Sequence, residues 1–143
     1  MAEQSVKAVM PIIAVGSIDE LHRFYTEKLG FKRVMGMVGK DGQFDFVSYD
    51  LNGAQIMFTR TRGPMDAARP SADKRPVEIY LEVDDVDAYH REITQHGIRV
   101  TNPLTTQWWG DRTFTVIDPY GYQLWFHQEQ VAEMKPPAGA KLV

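Results

Sequence analysis

The sequence predicts an α+β protein built from two tandem βαβββ modules, and two observations carry that prediction. A nine-residue pattern occurs twice, as Asp118-Pro119-Tyr120-Gly121-Tyr122-Gln123-Leu124-Trp125-Phe126 and, 68 residues earlier, as Asp50-Leu51-Asn52-Gly53-Ala54-Gln55-Ile56-Met57-Phe58. Asp, Gly, Gln and Phe recur in place, with Ile56 opposite Leu124. The same offset pairs Val15 with Val83, Ile18 with Val86, and Asp19, His22 and Arg23 with Asp87, His90 and Arg91. One deleted residue later, Gly30-Phe31 matches Gly97-Ile98. Matches in one register across several segments mark a duplication, which constrains the architecture before any single element does.

Each half then resolves into the same elements. Met1 to Lys7 is polar. Ala8 to Val15 is strand-like and Gly16-Ser17 breaks it, with Ser17 or Asp19 able to cap the next helix. In that helix Ile18, Leu21, Phe24, Tyr25 and Leu29 fall at helical spacing, so one face is buried, and Gly30 ends it. Phe31 to Val38, Gln43 to Tyr49 and Gln55 to Thr59 read as strands, joined by a hairpin turn at 39–42 and the Asp-x-x-Gly turn at 50–53. The second half repeats the order. Val77 to Val83 is a strand, and Asp84 or Asp85 starts a helix to His96 with Val86, Tyr89 and Ile93 on its apolar face. Ile98 to Thr101 is a strand interrupted by Asn102-Pro103, and Thr113 to Ile117 and Gln123 to His127 complete the set. The modules therefore span 8–60 and 77–128. Residues 61–76, rich in Gly, Pro, Ala and charge, form the linker, and 129–143 form a flexible tail.

Composition narrows the function. At 143 residues the chain holds one domain or two fused half-domains. A net charge of −3 gives no basic footprint, so nucleic acid is not an expected partner. The absence of cysteine removes disulfides and thiolate chemistry. The apolar run from Ala8 to Val15 falls far short of the roughly 20 residues a membrane span needs. The N-terminus shows no secretory pattern, so no membrane contact and a cytoplasmic location are expected.

Two βαβββ modules, with Leu29-Gly30-Phe31 after the first helix and Trp109-Gly110-Asp111-Arg112-Thr113-Phe114 leading to Asp118-Pro119-Tyr120-Gly121, resemble the vicinal oxygen chelate superfamily. That group includes glyoxalase I, extradiol dioxygenases and the fosfomycin- and bleomycin-resistance proteins. The resemblance implies an incompletely closed β-barrel cup with helices outside, and a homodimer that builds each cup from both chains. Strand alternation would then point Gln123, Trp125 and His127 into the cup, together with Gln55, Met57 and Thr59. The same parity expects Met10, Ile12, Ala14, Glu78, Tyr80, Glu82, Val47, Tyr49, Thr113 and Thr115 to face it.

Superfamily enzymes hold a divalent ion at positions that fall here on Met10, Met57, Glu78 and Trp125. A thioether is soft and an indole N–H only donates, so a single carboxylate remains where three hard or borderline donors are needed. No metal and no other cofactor are expected. The resemblance is therefore nearest to the metal-free, bleomycin-resistance-like members.

The expected ligand-binding residues are Met10, Tyr49, Met57, Glu78, Tyr80, Trp108, Trp109, Arg112, Thr115 and Trp125. Each has a plainer reading. The rings and methionines could simply fill the core, and Arg112 could cap a strand. Glu78 is either an exposed residue at a strand start or a lone carboxylate among rings, suited to a cationic ligand or to general-base work. His127 is either a functional imidazole or a strand end. His22 and His90 read as outward helix residues, and His96 as a last-turn cation.

Three functions follow. The first is sequestration, without a metal, of a small aromatic or cationic compound in a Trp/Tyr/Met-lined cup. The second is a glyoxalase-like metal-dependent lyase or a dioxygenase. The third is a cofactor-free isomerase or epimerase with Glu78 or His127 as base. The first accounts for most of the residues, so binding is the leading reading, and the two enzymatic readings stay open.

Overall fold

The computed structural model describes residues 8–60 and 77–142. The linker reading of 61–76 falls outside them, as does Met1 to Lys7. The chain divides into two units, each carrying one module. The first runs β1 (Ile12–Val15), α1 (Ile18–Arg23), β2 (Lys32–Val38), β3 (Phe44–Leu51) and β4 (Ala54–Arg60). The second runs β5 (Ile79–Glu82), α2 (Val86–Gln95), β6 (Val100–Thr106), β7 (Arg112–Ile117) and β8 (Gln123–Gln128).

Both helices start where a side chain accepts an orphan backbone N–H. Ser17 Oγ accepts from Glu20 N at 3.2 Å, and an Asp85 carboxylate oxygen accepts from Ala88 N at 3.0 Å. Asp19 serves elsewhere, accepting from Phe44 N at 3.1 Å and so tying α1 to β3. α1 widens into a π-type turn over Phe24–Lys28, in which Leu29 N donates to Phe24 O at 3.0 Å. Tyr25 and Leu29, four residues apart, are both buried on its inner face.

The two sheets share one topology, β1-β4-β3-β2 and β5-β8-β7-β6. In each, the pair made with the first strand is parallel and the others are antiparallel. Each module is thus an open, four-stranded mixed sheet with its helix packed on one face. The helix-facing core repeats at the 68-residue offset: Ile18 and Val86, Tyr25 and Ile93, Ile56 and Leu124, and Phe58 and Phe126 are all buried. Each such side chain contributes about 1.5–3 kcal/mol by leaving water.

The repeat fails to carry over in β3. Leu51 pairs with Ala54 across Asn52-Gly53, both at positive φ (52° and 92°), which makes a two-residue type I′ hairpin. In the second module Ile117 pairs with Gln123, and the connection is longer: Gly121 N donates to Asp118 O at 3.0 Å and Asp118 N to Tyr122 O at 2.9 Å. The one-residue difference shifts β3 against β7, and a shift of one exchanges faces. Val47 and Tyr49 therefore lie under the helix, opposite Phe58 and Ile56, whereas Thr113 and Thr115 lie on the far face as expected. The expected concave placement of Val47 and Tyr49 is corrected accordingly; Phe46 and Ser48 take that face.

A second correction concerns Asn102-Pro103, which does not interrupt β6. The strand runs on to Thr106 through register shifts around Asn102 and Thr105. β6 is an edge strand, where a proline removes no ladder hydrogen bond and a bulge absorbs the extra residue.

Candidate functional site

Register alone brings an aromatic cluster together in the second module. Tyr80 pairs with Trp125, and Trp125 with Thr115, while Glu82 and Thr113 flank His127. Leu124 and Phe126 face α2, where the Phe126 ring lies 4.8 Å from that of Tyr89, so Tyr80, Trp125 and His127 occupy the opposite face. The Tyr80 ring stacks on His127 at 4.0 Å and lies 6.0 Å from Trp125. From the loop after β6, Trp109 adds a ring 6.2 Å from Trp125, and Trp108 meets Trp109 edge-on at 5.5 Å. These are offset and edge-to-face distances of the kind ring quadrupoles favour. Tyr80 is 46% exposed and Trp108 42%, so the rings form a surface and not a filled core.

One carboxylate organises this surface. Tyr80 Oη donates to Asp111 Oδ2 at 2.6 Å and accepts from Trp109 Nε1 at 3.0 Å. Asp111 Oδ1 accepts from Gln130 N at 2.9 Å. Burial, and next the Asp111 hydrogen bond, push the Tyr80 phenol up to about 12. Burial alone would raise the Asp111 carboxyl. The hydrogen bonds from Tyr80 and Gln130 N, with the His127 ring nearby, outweigh it and hold the carboxyl below its ordinary value. His127 Nδ1 lies 3.4 Å from Asp111 Oδ2, near enough for attraction when the ring is protonated but outside hydrogen-bond geometry. That nitrogen is buried, so it is poorly placed to take a proton from a ligand.

Glu78 precedes β5 and is exposed. Its Oε1 accepts from Trp125 Nε1 at 3.2 Å and from Gln123 Nε2, which fixes a carboxylate at the edge of the rings. Beside them, Thr115 Oγ1 bonds Thr101 Oγ1 and Asn102 Nδ2, each at 2.7 Å, and Gln107 Nε2 donates to Thr113 Oγ1 at 3.0 Å. Thr115 is fully buried within this network.

The other expected site residues have different surroundings. Tyr49 is 0% exposed, stacked on Tyr25 at 5.6 Å, and its Oη meets His22 Nδ1 at 2.6 Å. His22 is therefore corrected from an outward residue to a half-buried one. Burial, and then Arg33, lower its pKa against the opposing pull of Asp19 and Glu27. Arg112 turns to α2, where Nε and Nη2 grip the Asp87 carboxylate at 3.0 and 3.1 Å. Met57 is half-buried on β4 beside Ile12 and Ser48, and Met10, just before β1, is exposed; both belong to the first module.

At the four positions where the resemblance implies metal donors, the side chains are Met10, Met57, Glu78 and Trp125, and the Trp125 nitrogen spends its proton on Glu78. This donor set does not fit a hard or borderline divalent ion. Among the described residues, no three His, Cys, Asp or Glu side chains gather as a metal set. Nor is any described helix long and apolar enough to cross a membrane.

The residue that sequence reasoning passed over as a site member is Asp111. Its only signal was an acid within the Trp109-Gly110-Asp111-Arg112 loop.

Comparison with known proteins agrees with this architecture. The model of the glyoxalase/bleomycin resistance protein/dioxygenase superfamily matches residues 6–126. A bleomycin resistance protein of Geobacillus stearothermophilus is 30% identical over 128 residues, covering 84% of this chain and 95% of that protein. An uncharacterized protein of Mycobacterium bovis is 28% identical over 138 residues, covering 94% and 90%. Among solved structures, the bleomycin-binding protein of Streptomyces verticillus, complexed with copper(II)-bleomycin, superposes with a TM-score of 0.65. At 20% identity it covers 87% of this chain and 97% of that one, a likeness of fold.

Proposed function

The chain belongs to the glyoxalase/bleomycin resistance protein/dioxygenase superfamily, and from that premise we propose that it sequesters a flat, positively charged small molecule on the aromatic face of its second module, without a metal ion of its own. The observation that carries the reading is the Tyr80–Trp109–Trp125 surface with the Glu78 carboxylate fixed at its edge. Rings presented to solvent attract a planar cation through dispersion and through their quadrupoles. The carboxylate adds charge complementarity and sets which end of the ligand lies beside it. Holding Glu78 by two donors in the free protein lowers the ordering cost of binding.

The bleomycin resistance protein of Geobacillus stearothermophilus makes bleomycin a reasonable first compound. Protein treated with a chelator is titrated with metal-free bleomycin, with its copper(II) complex and with ethidium, followed by tryptophan fluorescence and by calorimetry. Saturable binding of at least one compound is expected, unaffected by the chelator. Binding that disappears on chelation and returns with a divalent ion would restore the metal-dependent reading. No heat and no fluorescence change with any of the three would sink sequestration at this face. The pairing of two chains is part of the same proposal. Its support is the exposed apolar edge strand β2, where Met35 and Met37 are 53% and 56% exposed. Sedimentation giving only monomer at micromolar concentration would contradict it.

A further inference from the structure

Beyond β8 the chain turns back toward the loop that carries the tryptophans. Lys135 N donates to Trp108 O at 2.7 Å, Ala132 N to Gly110 O at 3.2 Å, and Gln130 N to Asp111 Oδ1 at 2.9 Å. Three successive parts of one segment thus bond three of the four residues from Trp108 to Asp111. The approach is close: a Cβ on Gly110, which has φ +99°, would stand 2.4 Å from Ala132 O. Asp111 passes the contact inward, because its other oxygen accepts the Tyr80 hydroxyl that in turn accepts from Trp109.

We propose that residues 130–135 act as a strap that positions the ring surface, with Asp111 as the positioning residue that joins the strap to Tyr80 and Trp109. The segment supplies no ring of its own. It fixes the rims on which Trp108 and Trp109 stand, so the order of the surface depends on backbone hydrogen bonds made outside the module's sheet. A loop bearing two large rings between β6 and β7 would otherwise sample several arrangements, and each would have to be excluded when a ligand binds. The strap excludes them beforehand. Only its consequence for affinity rests on the sequestration reading; its effect on the rings does not.

The test separates the two. Lys135→Pro removes the N–H that reaches Trp108 O from an exposed tail position, and Lys135→Ala keeps it. Both are made in the full chain. Lys135→Pro is expected to weaken the near-ultraviolet circular dichroism of the tryptophans and to raise their quenching by acrylamide, with the melting temperature moved by no more than a few degrees. Lys135→Ala should match the parent. Affinity for whichever compound binds should fall about three- to tenfold in Lys135→Pro, the range for one lost hydrogen bond. Asp111→Asn is the second probe, expected to reproduce the spectral change by releasing Tyr80. Parent-like dichroism and quenching in both Lys135→Pro and Asp111→Asn would overturn the strap, whatever the affinities. Altered spectra in a protein that binds none of the compounds would leave the strap standing and remove sequestration alone.

Discussion

The two modules share a strand order and a buried core, yet their open faces have diverged. Where the second module carries Glu78, Tyr80, Trp125 and His127, the first has Met10, Ile12, Met57 and Thr59 at the same offset. The helix-facing side stays buried and apolar, with Ile18, Tyr25, Ile56 and Phe58 answered by Val86, Ile93, Leu124 and Phe126. Packing constrains one face of a duplicated sheet and leaves the other free to specialise. Here one copy carries a ring surface braced by Asp111, and the other carries Met57, Ile12, Phe46 and Ser48 on the corresponding face, with Ile12 61% exposed.

The comparison breaks most readily at the core. Phe58 and Phe126 are both 0% exposed and occupy equivalent positions. Truncating either to alanine is expected to cost about 3–5 kcal/mol, measured by urea unfolding. A loss below about 1 kcal/mol at one of the two would show that these positions are not equivalent in the cores of their own modules.

The open faces should answer in the opposite way. Trp125→Ala is expected to weaken binding of a flat cation by about 2 kcal/mol, roughly thirtyfold, from lost ring area and stacking. Met57→Ala, its counterpart in the first module, should change affinity far less. Equal losses at both positions would mean that the ligand surface is not confined to the second module, and calorimetric titration of the two variants decides it.

The next effect is smaller and lies in the turns, where the modules part by one residue. Gly53 has φ +92°, and a Cβ there would meet nothing within 4 Å. The cost of Gly53→Ala is therefore one of backbone strain alone, about 1–2 kcal/mol. A neutral Gly53→Ala in chemical unfolding would contradict the two-residue hairpin and with it the displaced face of β3.

This turn also marks the limit of what the sequence discloses. The repeat disclosed the modules, both helices and the faces of β4 and β8, because packing against a helix keeps the alternation strict along Ile56-Met57-Phe58 and Leu124-Trp125-Phe126. It misplaced Val47 and Tyr49 because Asp50 and Asp118 open turns of different length behind one Asp-x-x-Gly pattern. The distinguishing signal was present: Asn52-Gly53 suits a two-residue type I′ turn, whereas Pro119 fixes the second position of a longer one. Arg112 could not be assigned in advance, since its partner Asp87 lies 25 residues away on a helix. Asp111 and the strap were beyond reach for the same reason. Backbone groups such as those of Ala132 and Lys135 bond irrespective of side chain, so composition carries no trace of them.

A last difference sits under the helices. His22 in the first module meets the Tyr49 hydroxyl, while Val116, the residue that takes Tyr49's place in β7 once the shift is allowed for, has none. With burial and then Arg33 lowering its pKa, His22 is favoured as the neutral ring, its Nδ1 accepting from Tyr49 Oη. In the unfolded chain the imidazole titrates at its ordinary value of about 6.5. Between that value and the lower folded one the unfolded state binds more protons, so stability rises with pH across this window. The contribution is present above about pH 6.5 and is lost as the pH falls through the folded pKa. Asp111, also depressed, acts separately in the acid range, where its carboxyl becomes protonated. Urea midpoints at pH 7.5, 6.5 and 5.5 should therefore decline in the parent and decline less in His22→Gln. Identical slopes in the two proteins would mean that the half-buried imidazole pairs with Tyr49 as well when charged as when neutral, and that the first module holds no proton-sensitive contact there.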